Sequence, residues 1–385
     1  MATREDAGQQ RPGGERGENG EWGEKVWVLS ARSAAGLAGQ ARRLAEFVAG
    51  RPDLDPGDVA WSLAATRSVF ERRAVIIGAG REELLSGLKA VAAGEPAAGV
   101  VTESAPPGGG NRGRVVFVFS GHGAQWAGMG RELAVCCPVF AARLDECAEA
   151  LTPFTGWSVE DMLSGAACAL ECEDAVLPVL WAVSVALAAV WEAAGVVPDA
   201  VVGHGQGEIA AACVAGLLSL RDGARVVAGR GRALTAPAGR IPMLSAATGE
   251  WVQGPELCSG YWDDGARSPV MFDQAVRVLA ASGYAVFAEV SPHPVLTTAI
   301  AQALEDVGAS GPTVTGTLRR DEGGPGRLLA SLAGVHVSGV AVDWAAVLGG
   351  GERVDLPTYA FQRQRYWPGS ALAQANGEID FVSDE

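Results

Sequence analysis

The fold of this chain is decided by residues 200–210, Ala200-Val201-Val202-Gly203-His204-Gly205-Gln206-Gly207-Glu208-Ile209-Ala210. β-Branched residues lead into a glycine-rich turn, and an alanine-rich helical stretch follows at once. This order predicts a nucleophile elbow, in which a strained turn holds one side chain above the sheet edge beside backbone N–H groups. The tip of an elbow carries Ser or Cys, but here it is Gly205. The sequence therefore predicts the shape of an acyl-transfer site without its nucleophile.

Composition excludes several classes of function. With 385 residues, 48% of them hydrophobic, the chain is long enough for a large core and two domains. A net charge of −15 argues against nucleic acid or an anionic membrane as a partner. The seven cysteines are scattered and form no CxxC pair, which predicts neither a metal site nor a disulfide framework. We expect no cofactor and a reducing, cytoplasmic location.

One apolar run, 175–191, approaches the length of a membrane span. It contains Pro178 and Ser184 and ends at Glu192, so we expect a buried helix beside a sheet instead. Residues 1–24 are polar and rich in glycine, without the apolar centre of a secretory signal. They are expected to form a disordered leader.

Hydrophobic periodicity predicts strands that alternate with helices along the chain. The predicted strands are 26–29, 73–78, 114–119, 241–247 and 285–290. The predicted helices are 30–48, 55–66, 81–93, 127–136, 138–151, 177–194, 219–234, 272–281, 295–307 and 328–338. Such alternation predicts an α/β fold with a parallel sheet covered on both faces.

Four parts of the sequence resemble the acyltransferase region of a modular polyketide synthase with its flanking linkers. They are WVLSAR at 27–32 with DVAWSLA at 58–64, FVFSGHGAQW at 117–126, GHGQGE at 203–208, and LPTYAFQ at 356–362 with RYW at 365–367. The second resembles the FVFPGQGSQW strand of that family, and the third resembles its GHSQGE elbow. The resemblance implies a small α/β linker domain beside an α/β-hydrolase-like, parallel-sheet acyltransferase core.

The resemblance also divides the chain. It predicts a leader at 1–24, a domain at 25–105 like the linker between ketosynthase and acyltransferase, and a truncated acyltransferase-like core at 114–348. A linker of the type that follows the acyltransferase is expected at 349–369, and an acidic tail at 370–385. The Pro/Gly-rich segment 106–110 is the expected first boundary.

In the family, a serine attacks malonyl- or methylmalonyl-coenzyme A with a histidine as base. Two backbone amides hold the oxyanion, and an arginine pairs with the substrate carboxylate. By resemblance, the serine position is Gly205, and the amides belong to His122 and Gln206. Arg230 matches the carboxylate-binding arginine, whereas Leu177 replaces a family glutamine. The resemblance thus implies a degenerate site.

A gap is the largest departure from the family. After the arginine helix, the chain passes through 237–239 directly to 241–249, which resembles a strand much farther along the family sequence. The family places a ferredoxin-like subdomain and the segment with the catalytic histidine between these points. Both are therefore expected to be absent.

Other residues are weaker candidates for the missing chemistry. Packing or a satisfied polar role is the favoured interpretation of each histidine: His122, His204, His293 and His336. Cys213 lies about two turns past Gly205 on the helix, where buried packing is favoured over a role as nucleophile. Arg230 either binds a carboxylate of the substrate or pairs with Glu208.

The leading hypothesis is a catalytically inactive acyltransferase-like protein that docks a ketosynthase or an acyl carrier protein. Loss of the nucleophile in a triad-type enzyme costs on the order of a million-fold in rate. Acyl-coenzyme A is a further possible ligand. The alternatives are an acyltransferase or thioester hydrolase with non-standard chemistry, using water over Gly205 and His204 as base, and a decayed product without a role.

The aromatic residues near the C-terminus are expected to pack as a strap on the linker domain, in preference to anchoring a partner. They are Tyr359, Phe361, Tyr366 and Trp367.

Overall fold

The computed structural model describes residues 23–104, 113–164, 173–229, 239–257, 260–262, 270–309 and 311–361. Several of the predictions lie outside these ranges: the leader up to residue 22, the boundary at 106–110, Arg230, Tyr366, Trp367 and the tail at 370–385. The described residues form a three-stranded sheet and a six-stranded sheet.

The three-stranded sheet belongs to an N-terminal unit, residues 23–104. Its elements are β1 Lys25–Ala31, α1 Ala34–Ala49, α2 Pro56–Thr66, β2 Arg72–Gly78, α3 Arg81–Ala93 and β3 Val100–Ser104. The order is β1-β2-β3 and both pairs are antiparallel. The expectation of parallel strands is wrong for this unit. A strand–helix–strand order fixes which elements alternate, but not the direction in which the next strand enters the sheet.

The six-stranded sheet has the order β7-β6-β5-β4-β8-β9. Its strands are β4 Arg114–Phe119, β5 Ala200–Gly203, β6 Met243–Leu244, β7 Trp251–Val252, β8 Tyr284–Glu289 and β9 Thr313–Gly316. All neighbouring pairs are parallel except β6 with β7. The helices are α4 Arg131–Cys136, α5 Pro138–Leu151, α6 Val159–Ser164, α7 Glu173–Ala193, α8 Gly207–Ala215, α9 Leu220–Val227, α10 Phe272–Ala281, α11 Thr297–Asp306, α12 Pro325–Val337 and α13 Trp344–Leu348.

The register of the two central strands positions the elbow. Phe119 pairs with Gly203, each the last residue of its strand. The loop after β4 and the turn after β5 therefore leave the sheet at the same level. The carboxyl ends of parallel strands are where α/β folds place their ligand sites.

Helix α7 is the core helix of the larger unit, which is the part of the chain built around the six-stranded sheet. Its segment Asp174–Ala193 is long and apolar enough to cross a membrane, but 83% of it is buried inside the protein. The Trp191 indole donates a hydrogen bond to Thr317 Oγ1 at 3.0 Å, and its ring lies against Phe117. The expectation of a buried helix agrees with this placement.

Three predicted elements are shorter in the structure. The helix expected from residue 127 begins at Arg131, because Gly128 and Gly130 take positive φ angles of 88° and 75°. The helix expected to reach residue 234 ends at Val227. The strand expected at 241–247 is only β6, since the amides of residues 246 and 247 leave the sheet and bond the Glu208 carboxylate.

Several short elements, three of them edge strands, are missing from the prediction. They are β3, β7, β9, α6 and α13. β7 has two residues, and β9 is the polar sequence TVTG. Neither is long enough for its own hydrophobic period to be recognised.

Residues 350–361, the C-terminal strap, run along the N-terminal unit. The amide of Glu352 donates to Asp58 Oδ1 and that of Val354 donates to Ser62 Oγ, both at 2.8 Å. The Arg67 guanidinium donates to the carbonyls of residues 356 and 357. Tyr359 packs edge-on against Phe70, with ring centroids 5.6 Å apart. The strap thus joins the C-terminal part of the described chain to its N-terminal unit.

Candidate functional site

The elbow has the backbone of a nucleophile elbow. Gly205 lies between β5 and α8 with a φ of +56°, in the left-handed region. A Cβ at Gly203 would overlap the backbone of Glu208, and a Cβ at Gly207 would overlap the carbonyl of Phe119. These two glycines are therefore required by close backbone packing, as expected where a strand turns sharply into a helix.

Gly205 differs from its two glycine neighbours. A Cβ built on Gly205 would meet no heavy atom within 4 Å among the described residues. The space into which an elbow directs its nucleophile is therefore open. The structure thus has room for a side chain at position 205, where the sequence has glycine.

Two backbone amides beside Gly205 are unused. Within the described part of the chain, the amides of Gln206 and His122 donate no hydrogen bond to a protein acceptor. The loops that carry them are in contact, since a Cβ on Gly121 would lie 3.0 Å from the Gln206 nitrogen. Gln206 also precedes the first turn of α8, where the helix dipole favours negative charge. These amides are suited to hold an oxyanion.

A cavity of about 230 Å³ lies over the elbow. It is lined by Gly121, His122, His204, Gly205, Gln206, Glu208, Ile209, Ala247, Tyr261, Trp262 and Val270. The structure thus brings together the predicted positions 122, 204, 205 and 206. Leu177 is not among the lining residues, and the predicted carboxylate ligand Arg230 lies outside the described residues.

The two histidines of the cavity differ in environment. His204 packs edge-on against Phe272, with ring centroids 5.4 Å apart. Burial lowers the pKa of His204, so its imidazole is neutral at neutral pH and has a free nitrogen lone pair. His122 is exposed on the loop after β4. Of the two, His204 is the better placed proton acceptor.

Glu208 is the buried anchor of the elbow helix. Its Oε1 accepts hydrogen bonds from Ser245 Oγ at 3.1 Å and from the amides of Ala246 and Ala247 at 2.6 and 3.1 Å. Its Oε2 accepts from the Tyr261 hydroxyl at 2.6 Å. The network joins α8 to the segment after β6. It satisfies this carboxylate without Arg230, whose pairing with Glu208 was one of two alternatives and lies outside the described residues.

The roles of Ser245 and Tyr261 could not be found by sequence reasoning. They lie 37 and 53 residues from Glu208, and only the packed fold brings them to it. Burial raises the pKa of Glu208 against the lowering effect of its hydrogen bonds. A signal was available only in Glu208 itself, since an acidic residue between Gly207 and Ile209 at the start of an apolar helix needs donors nearby.

The other two histidines make contacts away from the elbow, a hydrogen bond for His293 and ring packing for His336. His293 Nδ1 accepts a hydrogen bond from the amide of Arg320 at 3.1 Å. His336 is buried and packs against Trp344, with ring centroids 5.7 Å apart. Burial and the nearby Arg73 lower the pKa of His336 to about 3. Neither histidine lines the elbow cavity.

Cys213 is not a replacement nucleophile. Burial raises the pKa of its thiol to about 12, so the thiolate is scarce at neutral pH. A Cβ on Gly223 would overlap its Sγ, which shows how closely the α8–α9 contact surrounds the sulfur. The side chain is half-buried at this contact and does not line the elbow cavity, so it packs as expected but is less buried than the sequence predicted.

Comparison with known families gives the site its context. The acyl transferase domain family matches residues 116–248 and 233–342, which include the elbow, the loop after β4 and most of the larger unit. This chain belongs to that family. The C-terminal region of CurL-like polyketide synthases matches residues 25–88 of the N-terminal unit. The chain thus resembles the corresponding part of polyketide synthase modules.

The relatives of this chain are much longer proteins. Polyketide synthase GfsE of Streptomyces halstedii is 42% identical over 444 residues, which cover 89% of this chain and 12% of the relative. Spectinabilin polyketide synthase system protein NorA' of Streptomyces orinoci is 41% identical over 452 residues, which cover 91% of this chain and 12% of the relative. The chain therefore spans about an eighth of these relatives or less.

The fold is that of solved acyltransferase domains. The crystal structure of the acyltransferase domain from module 8 of the salinomycin polyketide synthase is 37% identical, with a TM-score of 0.79. The match covers 84% of this chain and 98% of that domain. The α/β fold and the mixed, mainly parallel sheet are therefore those of polyketide synthase acyltransferases.

Proposed function

We propose that this acyltransferase-like chain forms no acyl-enzyme and serves as a docking element of a polyketide assembly line. The observation that carries the proposal is Gly205, which stands with an open tip in an otherwise complete elbow. No side chain at this position can accept an acyl group. Removing the nucleophile of a triad-type enzyme costs about a million-fold in rate, and further losses in the triad then add little.

A gap in the family sequence supports the proposal. The alignment with GfsE covers 444 positions although this chain has 385 residues, so the relative carries residues without a counterpart here. The family matches this chain in two segments that overlap at 233–248. This is where we place the loss of the ferredoxin-like subdomain and of the histidine segment. We also keep the division into a linker-like unit at 25–105 and a core at 114–348 as part of the proposal.

The surface that remains is suited to a protein partner. A groove of about 650 Å³ lies between the N-terminal unit and the strap, and its lining includes Phe70, Trp344, Leu356 and Tyr359. Phe361 at the end of the strap is 74% exposed and Val69 is 54% exposed. Exposed aromatic and aliphatic side chains beside a groove are typical of interaction sites. A ketosynthase or an acyl carrier protein is the partner we propose, with acyl-coenzyme A as a further ligand of the elbow cavity.

The proposed location is the cytoplasm. Within the described ranges, Cys136, Cys137, Cys147 and Cys213 are all free thiols. Reduced cysteines of this kind are usual in a reducing compartment.

A capture experiment tests the docking proposal. The purified chain is immobilised and exposed to ketosynthases and carrier proteins encoded near its gene. We expect one of them to be retained by the parent chain and by Val197→Ser, and lost with Val69→Ser and Phe361→Ser. Val197 is a matched control because it is 52% exposed at another position. The proposal would be contradicted if all variants retained the partner equally well. It would also be contradicted if the parent chain retained none of the proteins offered.

A second test addresses the absence of an acyl-enzyme. The chain is incubated with radiolabelled malonyl- and methylmalonyl-coenzyme A, and protein-bound label is counted. We expect no stable label. Stoichiometric labelling would overturn the proposal and favour an acyltransferase with another nucleophile.

The alternative function is hydrolysis of acyl thioesters by water bound over Gly205, with His204 as base. The unused amides of Gln206 and His122 favour it, since they are the part of the site that stabilises an oxyanion. Release of free malonate above the buffer rate, without labelled protein, would support this alternative.

A further inference from the structure

The elbow cavity combines three features that docking does not require. Within the described ranges, position 205 is open, the amides of Gln206 and His122 donate no hydrogen bond, and His204 lines the same space. Amides fixed in this way stabilise a developing oxyanion without reorganisation. The site therefore retains a means to polarise a thioester carbonyl, although it has no side chain that attacks one.

We propose that this cavity catalyses direct exchange between an acyl thioester and a free thiol, whose sulfur enters the space that Gly205 leaves open. A thiol is the fitting attacking group because it is a strong nucleophile near neutral pH once its proton has been removed. The proposal goes beyond docking, which concerns the strap and the N-terminal unit.

The exchange takes place in one addition and one collapse. His204 accepts the proton of the free thiol. The sulfur of this thiol then forms a C–S bond to the carbonyl carbon of the thioester, and the carbonyl π electrons move to the oxygen. The amides of Gln206 and His122 hold that oxyanion. When the carbonyl re-forms, the C–S bond of the incoming thioester breaks, and the departing sulfur takes the proton back from His204. One thioester and one thiol enter and one of each leave, with no change of oxidation state and no bond to the protein.

The expected rate is modest. Triad-type enzymes that lack their triad keep a residual acceleration of roughly 10³–10⁴ over water, which comes from the oxyanion hole and binding. The open cavity excludes water less well, so we expect an acceleration of about 10²-fold over the buffer reaction.

The test uses malonyl-coenzyme A with N-acetylcysteamine, a small thiol that mimics the end of a pantetheine arm. The malonyl thioester of N-acetylcysteamine is quantified by liquid chromatography and mass spectrometry against a protein-free control. A rate no greater than the control would overturn the proposal. An acyl adduct seen in the mass of the intact protein would overturn the direct route, in which no bond to the protein forms.

Proline at position 206 tests the amide itself. Gln206 has a φ of −62°, which proline also adopts, and the preceding Gly205 has no Cβ to clash with the proline ring. Gln206→Pro replaces the exposed glutamine side chain and removes an N–H that donates no hydrogen bond within the described chain. We expect the exchange rate of Gln206→Pro to be about 10²-fold below that of Gln206→Ala, which lacks the same side chain but keeps the N–H. Equal rates in the two variants would contradict the role of the amide.

Two further matched pairs test the space and the base. Gly205→Val fills the open space, and Gly94→Val is its control because Gly94 has a φ of +74° and a Cβ there would also meet nothing within 4 Å. We expect loss of exchange only in Gly205→Val.

The second pair tests the base. Titration of the His204 imidazole is expected to make the exchange rate rise with pH. His204→Gln should abolish this rise, whereas His293→Gln should keep it. None of these variants alters the strap, so capture of a partner and thioester exchange fail independently.

Discussion

The Tyr261 hydroxyl donates to Glu208 Oε2 at 2.6 Å and ties the segment after β7 to the first turn of the elbow helix. Tyr261 Oη also lies 2.6 Å from Ser245 Oγ. The three side chains form one buried network behind the turn that holds Gly205. We infer that the network keeps the elbow in shape although its tip has no nucleophile.

Loss of the tyrosine hydroxyl is expected to destabilise the protein. Tyr261→Phe leaves Glu208 Oε2 without its donor in a buried site, which costs about 1–3 kcal/mol. The free energy of unfolding, measured in urea, is compared with that of Tyr284→Phe, whose hydroxyl makes only a 3.4 Å contact with the carbonyl of Asp199. Equal stability of the two variants would show that the hydrogen bond from the Tyr261 hydroxyl does not stabilise the fold.

The pH dependence of stability is expected to change in Glu208→Gln. Burial raises the pKa of Glu208 in the folded protein, so the native state binds more protons than the unfolded state between the ordinary and the raised pKa. This carboxyl therefore favours folding at low pH, and its contribution declines as pH rises through that window. Unfolding free energies of both proteins are measured from acidic to neutral pH.

The stability of the parent chain relative to Glu208→Gln is expected to fall with rising pH in this series. The difference between the two proteins isolates Glu208, because Glu289 also has a raised pKa and is unchanged in the variant. A difference that is constant with pH would refute the assignment.

Serine at the elbow tip is expected to fold but not to transfer acyl groups. Gly205→Ser meets no steric obstacle within 4 Å, and its left-handed backbone costs about 1–3 kcal/mol. In the proposed exchange His204 is the base for a thiol, which loses its proton far more readily than a serine hydroxyl does. The proposed loss of the family histidine segment leaves the new hydroxyl without the family's own base, so we expect no acyl-serine and no malonyl transfer through it to a carrier protein. Gly203→Ser is the contrasting variant, since its Cβ overlaps the backbone of Glu208 and prevents folding. An acyl-serine at position 205 that passes its malonyl group to the carrier protein would show that a base able to activate the hydroxyl is present.

The strap is expected to detach locally when Arg67 is removed. Arg67 donates to the carbonyls of Leu356 and Pro357 at 2.9 and 2.8 Å. Arg67→Ala should increase cleavage by chymotrypsin after Tyr359 and Phe361, because the segment opens more often without these bonds. Arg42→Ala, an exposed change on α1, is the control and should leave the cleavage rate near that of the parent chain. The same cleavage rate in both variants would exclude a fastening role for Arg67.

The sequence alone predicted the elements whose signals are local. The strand at 114–119 and the helices at 81–93 and 138–151 have the predicted bounds, because each has a clear apolar period and turn or cap residues at its ends. The turn at Gly205 was likewise predicted from neighbouring residues. That this turn has no nucleophile is a matter of covalent structure, which no folding can alter.

Only the tertiary structure decided what depends on residues far apart in the chain. The antiparallel direction of β3, the two-residue length of β6 and the approach of His122 to His204 all follow from packing between elements. Ser245 and Tyr261 reach Glu208 for the same reason. A hydrogen bond forms only where the fold brings donor and acceptor within about 3 Å, and the sequence pattern around one residue does not encode that distance.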